Sequence, residues 1–236
     1  MAKSSKSWYE FKAAAAGKPA RIIIEDEIGG WGVSAKNFRA DFARLGKDEA
    51  VQIHIKSGGG SCFEGSEIAN IIADHDGEVT VTLGSVCASI ATVIACAGDK
   101  VIAAKNSLYM IHEPTVYAGG DAKELRKMAE VLDKIKKNLV GAYKKKTGKS
   151  EDELSDLIAE ETWFTAEEAK EAGFVDEISG EDADDDVLDN LDLSHYANTT
   201  KLFSLQVQNA ADAVMLFSGN GKRLTLAEIK NSLDRK

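Results

Sequence analysis

The chain has 236 residues, long enough for one large domain with a full core or for one domain plus an appendage. Its hydrophobic fraction of 44% and charged fraction of 29% are those of an ordinary water-soluble globular protein, and no apolar run approaches the 18 residues a membrane span needs. A net charge of −10 argues against a general nucleic-acid or membrane-surface binder, because such proteins carry basic fields.

In chain order, 1–19 is polar and rich in Lys and Ala, and is expected to be a loosely ordered arm, with Trp8, Tyr9 and Phe11 available to dock on a neighbouring subunit. Arg21–Glu25 reads as a strand, followed by a Gly-Gly-Trp-Gly turn. Ser34 then caps a helix whose Phe38, Phe42 and Leu45 share one face. Val51–Ile55 is the next strand, and Ile53 to Gly65 runs from it through three consecutive glycines into a helix over Glu64–Asp74. Such a loop lets backbone approach a bound group and aim amides at it. Glu78–Leu83 alternates as a strand and delivers an apolar helix, Ile90–Ala97, with Ser89 at its mouth. Val101–Ala104 and Leu108–Ile111 are short strands, the second ending in His112, with Pro114 soon after. A long helix over Asp121–Lys146 carries Leu125, Met128, Leu132, Ile135, Leu139 and Tyr143 as one stripe. Asp121 and Glu124 form a capping box at its start, and Lys144 to Lys146 suit its negative end. Ser150–Glu160 and Thr165–Ala172 are further helices before a final strand, Phe174–Ile178. The alternation of strands and helices predicts an α/β fold with a largely parallel sheet.

Composition changes at Gly180. Glu181 to Asp192 holds seven acidic residues, the mark of solvated chain, and the polar remainder to Lys236 contains a strand candidate at Leu202–Val207 and a helix candidate at Thr225–Leu233. The expected division is an arm to residue 19, a main domain over 20–180, and a linker and tail over 181–236.

A hydroxyl at a helix start and an imidazole at a strand end are the parts of an acyl-transfer site, although a plain capping serine gives the same local pattern. The three cysteines, Cys62, Cys87 and Cys96, have neither metal-ligand spacing nor an even number, and fit small thiols in a reduced, cytosolic compartment. Cys87 is a conceivable rival nucleophile, best read as packing. His54, His75 and His195 lack a comparable context. His54 alternates with Ile53 and Ile55 and so falls on the opposite face of its strand. No GxxxxGK[ST] motif is present, so any use of ATP belongs to a partner.

Together the segments SGGGS, CASIA and MIHEP, in that order, resemble the SPGG loop, the G-x-x-A-S-M serine turn and the MIHQP histidine strand of the ClpP family of serine peptidases. The likeness extends from Arg21 to Ile178 and is strongest to phage-encoded ClpP-like head-maturation proteases. It implies a ClpP/crotonase-like fold of repeated β-β-α units with a projecting handle helix, and no cofactor or metal. It also implies a serine endopeptidase acting on polypeptides such as capsid or scaffold chains, in host cytoplasm or prohead. A homo-oligomeric ring is expected, with an unfoldase as a conceivable partner.

Within that resemblance Ser89 is the nucleophile, His112 the base, and the N–H groups of Gly59 and Ile90 the oxyanion donors. The family's aspartate precedes an F-[LM]-[ST]-A-x-E-A segment. Here Phe164-Thr165-Ala166-Glu167-Glu168-Ala169 places Glu161 at that position, with Glu160 as its competitor. Gly58 replaces the family's proline, which predicts a softer loop. Three other readings stand beside this one. A Ser–Lys peptidase would use Lys100 or Lys105, an acyl-CoA hydratase-like relative would not need Ser89 and His112, and a silent assembly subunit would have no chemistry at all.

Overall fold

Tyr9–Lys12 (β1) pairs antiparallel with Ala20–Ile24 (β2), Tyr9 opposite Ile24 and Lys12 opposite Arg21, which corrects the reading of this stretch as a loose arm. Tyr9 and Phe11 alternate with Glu10 and Lys12, the period of two that puts both aromatics on the core side of an edge strand. The computed structural model describes residues 9–15, 18–30 and 32–180, and the backbone of residues 216–217 and 223–224. Trp8 and the strand and helix expected at Leu202–Val207 and Thr225–Leu233 lie outside the described residues.

From β2 the sheet continues in parallel through Val51–Ser57 (β3) and Val79–Ala88 (β4). β3 buries Val51, Ile53, Ile55 and Ser57 while Gln52, His54 and Lys56 are half-buried on the other face. His54 there lies 3.0 Å from Thr82 Oγ1 through Nδ1, a cross-strand polar contact.

β4 runs five residues past the expected end at Leu83, to Ala88, and its two halves have different neighbours. Thr80–Leu83 pair with Lys100–Ala103 (β5), whereas Val86–Ala88 pair with Leu108–Ile111 (β6). β6 in turn pairs antiparallel with Thr162–Thr165 (β7), a strand the sequence reading did not anticipate, and β5 pairs with Glu177–Ile178 (β8). Of the expected Phe174–Ile178 strand only the last two residues pair. Phe174 instead plugs the core, its ring 5.1 Å from that of Tyr109 and 5.5 Å from that of Phe164.

The helices Ala35–Phe42 (α1), Cys62–Ala73 (α2), Ile90–Cys96 (α3), Ala122–Thr147 (α4), Glu151–Ala159 (α5) and Ala166–Glu171 (α6) complete the α/β unit. Serine side chains cap α1, α2 and α5 from Ser34, Ser61 and Ser150, and reciprocal capping boxes start α4 at Asp121–Glu124 and α6 at Thr165–Glu168. α4 ends at Gly148 in the left-handed conformation. Its apolar stripe divides along its length. Leu139, Val140 and Tyr143 are buried, whereas Leu125, Met128 and Val131 toward the N-terminus are exposed. Among the described residues no helix is long and apolar enough to cross a membrane.

The chain divides into two compact units, Met1–Asp192 and Leu193–Lys236. In the second, Leu216–Phe217 (β9) and Arg223–Leu224 (β10) pair antiparallel.

α2 crosses α3 closely because Gly65 has no side chain. A Cβ built there would lie 2.3 Å from Ile90 Cγ1. Gly65→Val is expected to overpack this crossing by about 1–3 kcal/mol and to lower the melting temperature by several degrees. A thermal melt followed by circular dichroism checks this.

Candidate active site

β4 runs straight into Ser89, and Ser89 N–H donates to the Met110 carbonyl of β6 at 2.9 Å. Parallel pairing of Ala88 with Met110 therefore carries two strand ends, Ser89 and His112, to one edge of the sheet. There the imidazole Nε2 lies 2.7 Å from Ser89 Oγ. Ser89 occupies the N-cap position of α3, yet its side chain makes no capping hydrogen bond, so the capping alternative fails. Its backbone is at φ 57°, ψ −132°, a conformation a non-glycine residue holds only when its surroundings impose it.

Glu161 comes to the same place by register. β6 and β7 pair Met110 with Trp163 and Ile111 with Thr162, and one further step along this antiparallel ladder sets Glu161 opposite His112. Glu161 also sits at positive φ, 48°, in the turn that leads from α5 into β7, and its Oε1 accepts from Trp163 Nε1 at 3.3 Å. Burial pushes the His112 imidazole below its ordinary value of 6.5; the charges of Glu161, and less so of Glu113, act in the opposite direction. Glu160, the competitor, ends α5 as its exposed C-cap. Glu113, next to the imidazole, is held by Lys136 of α4 at 2.6 Å.

The glycine loop is tied down without proline. Ser57, buried, donates through Oγ to the Asp26 carbonyl at 2.6 Å and accepts from Gly59 N–H at 3.1 Å. Ile28 N–H donates to the Gly59 carbonyl at 2.8 Å, and Ser61 N–H to the Ile28 carbonyl at 2.7 Å. Gly59 is at φ 102°, and a Cβ there would lie 2.6 Å from the Cβ of Ser89, so only glycine lets the loop pass this close to the hydroxyl. Its amide, expected as an oxyanion donor, donates here to Ser57 Oγ. Among the described residues the amides of Gly60 and Ile90 have no hydrogen-bond partner.

The rival groups are placed elsewhere. Cys87 is completely buried within β4, and burial raises its thiol pKa far above the ordinary value, so it holds no thiolate. Lys100 pairs with Glu177 at 2.5 Å, and Lys105 lies in an exposed turn after β5. His75 lies 2.8 Å through Nε2 from the Glu49 carbonyl and stacks edge-on against Phe42. His195 is outside the described residues. Among the described residues no group of three or more His, Cys, Asp or Glu side chains could hold a metal ion.

Two residues beside the site escaped the sequence reading. Thr92, one turn into α3, donates to the Ser89 carbonyl, and Tyr143 of α4 contacts that threonine. No motif links positions 51 apart, and only the apolar stripe of α4 gave any sign that Tyr143 faces inward.

The sequence model of the family described as Clp protease matches residues 15–182, well over half of the chain. The ATP-dependent Clp protease proteolytic subunit 2 of Thermobifida fusca is 31% identical over 135 residues, which cover 56% of this chain and 66% of that protein. The ATP-dependent Clp protease proteolytic subunit of Bacteroides fragilis is 34% identical over 135 residues, covering 56% of this chain and 64% of the relative. The aligned stretch thus spans slightly less than two thirds of these curated relatives. Among solved structures, a mutant ClpP1 from Listeria monocytogenes matches with a TM-score of 0.60 at 26% identity, over 67% of this chain and 90% of that one.

The Ser57 hydroxyl holds the loop to the β2 side, so Ser57→Ala leaves the Gly59 amide without its partner. We expect a loss of about 1–3 kcal/mol in stability, read by urea unfolding, and slower acylation of Ser89 in the fraction that remains folded.

Proposed function

This chain belongs to the Clp protease family, and on that footing we propose that it is a serine endopeptidase that cleaves peptide bonds through an acyl-enzyme on Ser89. The observation that carries the reading is the 2.7 Å contact between Ser89 Oγ and His112 Nε2, made by a serine that does not cap its helix.

In this mechanism His112, kept neutral by burial, takes the Ser89 proton as the oxygen attacks the scissile carbonyl, then returns it to the leaving amine. Glu161 orients the imidazole and stabilises its charged form, and its longer side chain is accommodated by the strained turn before β7. The tetrahedral oxyanion is met by Ile90 N–H and by an amide of the glycine loop, which we assign to Gly60 in place of Gly59. The Ser–Lys alternative is disfavoured by the Lys100–Glu177 ion pair, and a silent subunit by the intact Ser89–His112 contact.

Fluorophosphonate labelling tests the assignment. Ser89→Ala is expected to abolish it and His112→Ala to slow it by about 10³-fold or more. Wild-type labelling should follow deprotonation of His112, reaching its plateau above an inflection below the ordinary 6.5. Glu161→Gln removes the largest charge that raises the His112 pKa. Its inflection should therefore move to still lower pH, while the plateau rate falls by about 10²-fold or more. Survival of labelling in Ser89→Ala overturns the reading.

For the biological role we propose processing of phage capsid or scaffold chains during head maturation. Support comes from the motif likeness to phage-encoded proteases and from the presence of a segment beyond residue 182 that the family model does not match. Mass spectrometry of capsid and scaffold chains co-expressed with the protein, against the Ser89→Ala control, should show defined Ser89-dependent cuts. Relatives named as proteolytic subunits of an ATP-dependent protease make an ATPase unfoldase a candidate partner.

We further propose a homo-oligomeric ring assembled with the help of the exposed Leu125, Met128 and Val131 face of α4, and a catalytic domain that ends near Gly180. Light scattering should give a multiple of the 25.4 kDa chain mass at micromolar concentration, for the whole chain and for one ending at Gly180. A monomer refutes the ring, and loss of assembly only on truncation refutes the boundary.

A further inference from the structure

Behind Ser89 lies a buried polar chain that the proposed triad leaves unused. Thr92 Oγ1 donates to the Ser89 carbonyl at 2.5 Å and lies 2.7 Å from Tyr143 OH, while Thr92 N–H donates to the same carbonyl at 3.0 Å. The threonine hydroxyl has one proton, already given to Ser89, so the tyrosine hydroxyl is the donor in the second contact. Thr92 is 0% and Tyr143 1% exposed, so water does not substitute for either bond. Tyr109 OH adds a bond to the Thr92 carbonyl at 3.2 Å, fixing the turn that carries the threonine.

We propose that Tyr143 and Thr92 are positioning residues that hold the Ser89–Ile90 peptide plane, and through it aim the Ile90 N–H at the reacting carbonyl. This rests on the reading of Ser89 as the nucleophile. A trans peptide is planar, with its C=O and N–H pointing in opposite directions. Fixing the Ser89 oxygen on one side therefore fixes the direction of the Ile90 amide on the other. The need is specific to this plane, because Ser89 sits at φ 57° and relaxes by rotating that peptide if nothing holds it. Donation to the carbonyl also polarises the peptide and strengthens its N–H as a donor. α4 thus reaches the nucleophile through a tyrosine 51 residues beyond Thr92 in the chain.

Phenylalanine tests the tyrosine cleanly. It keeps the ring, including the edge contact with Phe174 at 5.6 Å, and deletes one hydroxyl. The readouts, on the full chain and per folded site, are the fluorophosphonate acylation rate and kcat and KM on a short fluorogenic peptide amide. Removal of a direct oxyanion donor costs about 10²–10³-fold, so Thr92→Val should lose about 10²-fold in kcat and Tyr143→Phe about 10-fold, both with KM unchanged. Thr92→Ser retains the hydroxyl and should stay within about 3-fold of wild type, and the Thr92→Val/Tyr143→Phe double variant should be no slower than Thr92→Val alone, as members of one chain behave. Wild-type kcat in Tyr143→Phe overturns the proposal. So does Thr92→Ser as slow as Thr92→Val, or a loss of rate that only tracks the loss of folded protein. Labelling that survives Ser89→Ala overturns instead the nucleophile assignment on which the proposal stands.

Discussion

Parallel pairing of Val86–Ala88 with Leu108–Met110 is the constraint on which the site depends. Two strands in register fix their ends to within the tolerance of a backbone hydrogen bond, here Ser89 N–H to the Met110 carbonyl. The hydroxyl and the imidazole then meet at 2.7 Å with little freedom left to either side chain. β4 can make this pairing because it abandons β5 after Leu83 and takes β6 as its neighbour from Val86. β6 receives β7 on its other side, which brings the carboxylate of Glu161 into the neighbourhood. Three chain segments distant in sequence are thus aligned by ladder geometry, and the loops between them need only be long enough.

The electrostatics of the site set two opposed influences on one imidazole. Burial favours the neutral ring, the form able to accept a proton, and the Glu161 charge favours the imidazolium. Burial is the larger influence in the resting protein. Glu113 contributes in the same sense as Glu161 but is tied to Lys136 on α4, so its charge is partly answered by a cation. In the proposed mechanism, proton acceptance at rest and charge stabilisation during the reaction would therefore be supplied by different groups, as acid–base work at neutral pH requires.

Much of this was legible in the chain because the central elements obey local rules. The alternation in Val51–Ser57, the three-and-four spacing in α4 and the capping residues at Ser34, Asp121 and Ser150 all specify structure from near neighbours. The misses have a common physical cause. Gly84–Ala88 is, apart from Val86, made of small residues with weak strand preference, and β6 lies beside its last three residues. Thr162–Thr165 is four residues long and flanked by helices, too short for a period to appear, although its β-branched and aromatic content was a signal. Tyr9–Lys12 showed the right alternation but sat in a stretch whose lysines and alanines outweighed it. A glycine run tells where backbone comes close and not which N–H points outward; in the fold the Gly59 N–H donates to the Ser57 hydroxyl.

The division of α4 ties the site to the rest of the molecule. Its C-terminal half is anchored in the core by Leu139, Val140 and Tyr143, and Lys136 reaches Glu113 beside the imidazole. Lys136 and Tyr143 are seven residues apart, two turns on one face, so a single rigid surface of the helix touches both the histidine end and the serine end of the site. The N-terminal half carries Leu125, Met128 and Val131 into solvent, apolar side chains on a subunit whose net charge of −10 opposes association with its own copies. Keeping such residues exposed costs solubility and gains nothing in an isolated chain, whereas covering them gains roughly 25 cal/mol for each Å² removed from water. Lys136 and Tyr143 lie on the same helix as that face. One helix thus carries both the exposed apolar face and the side chains that back the serine and histidine ends of the site.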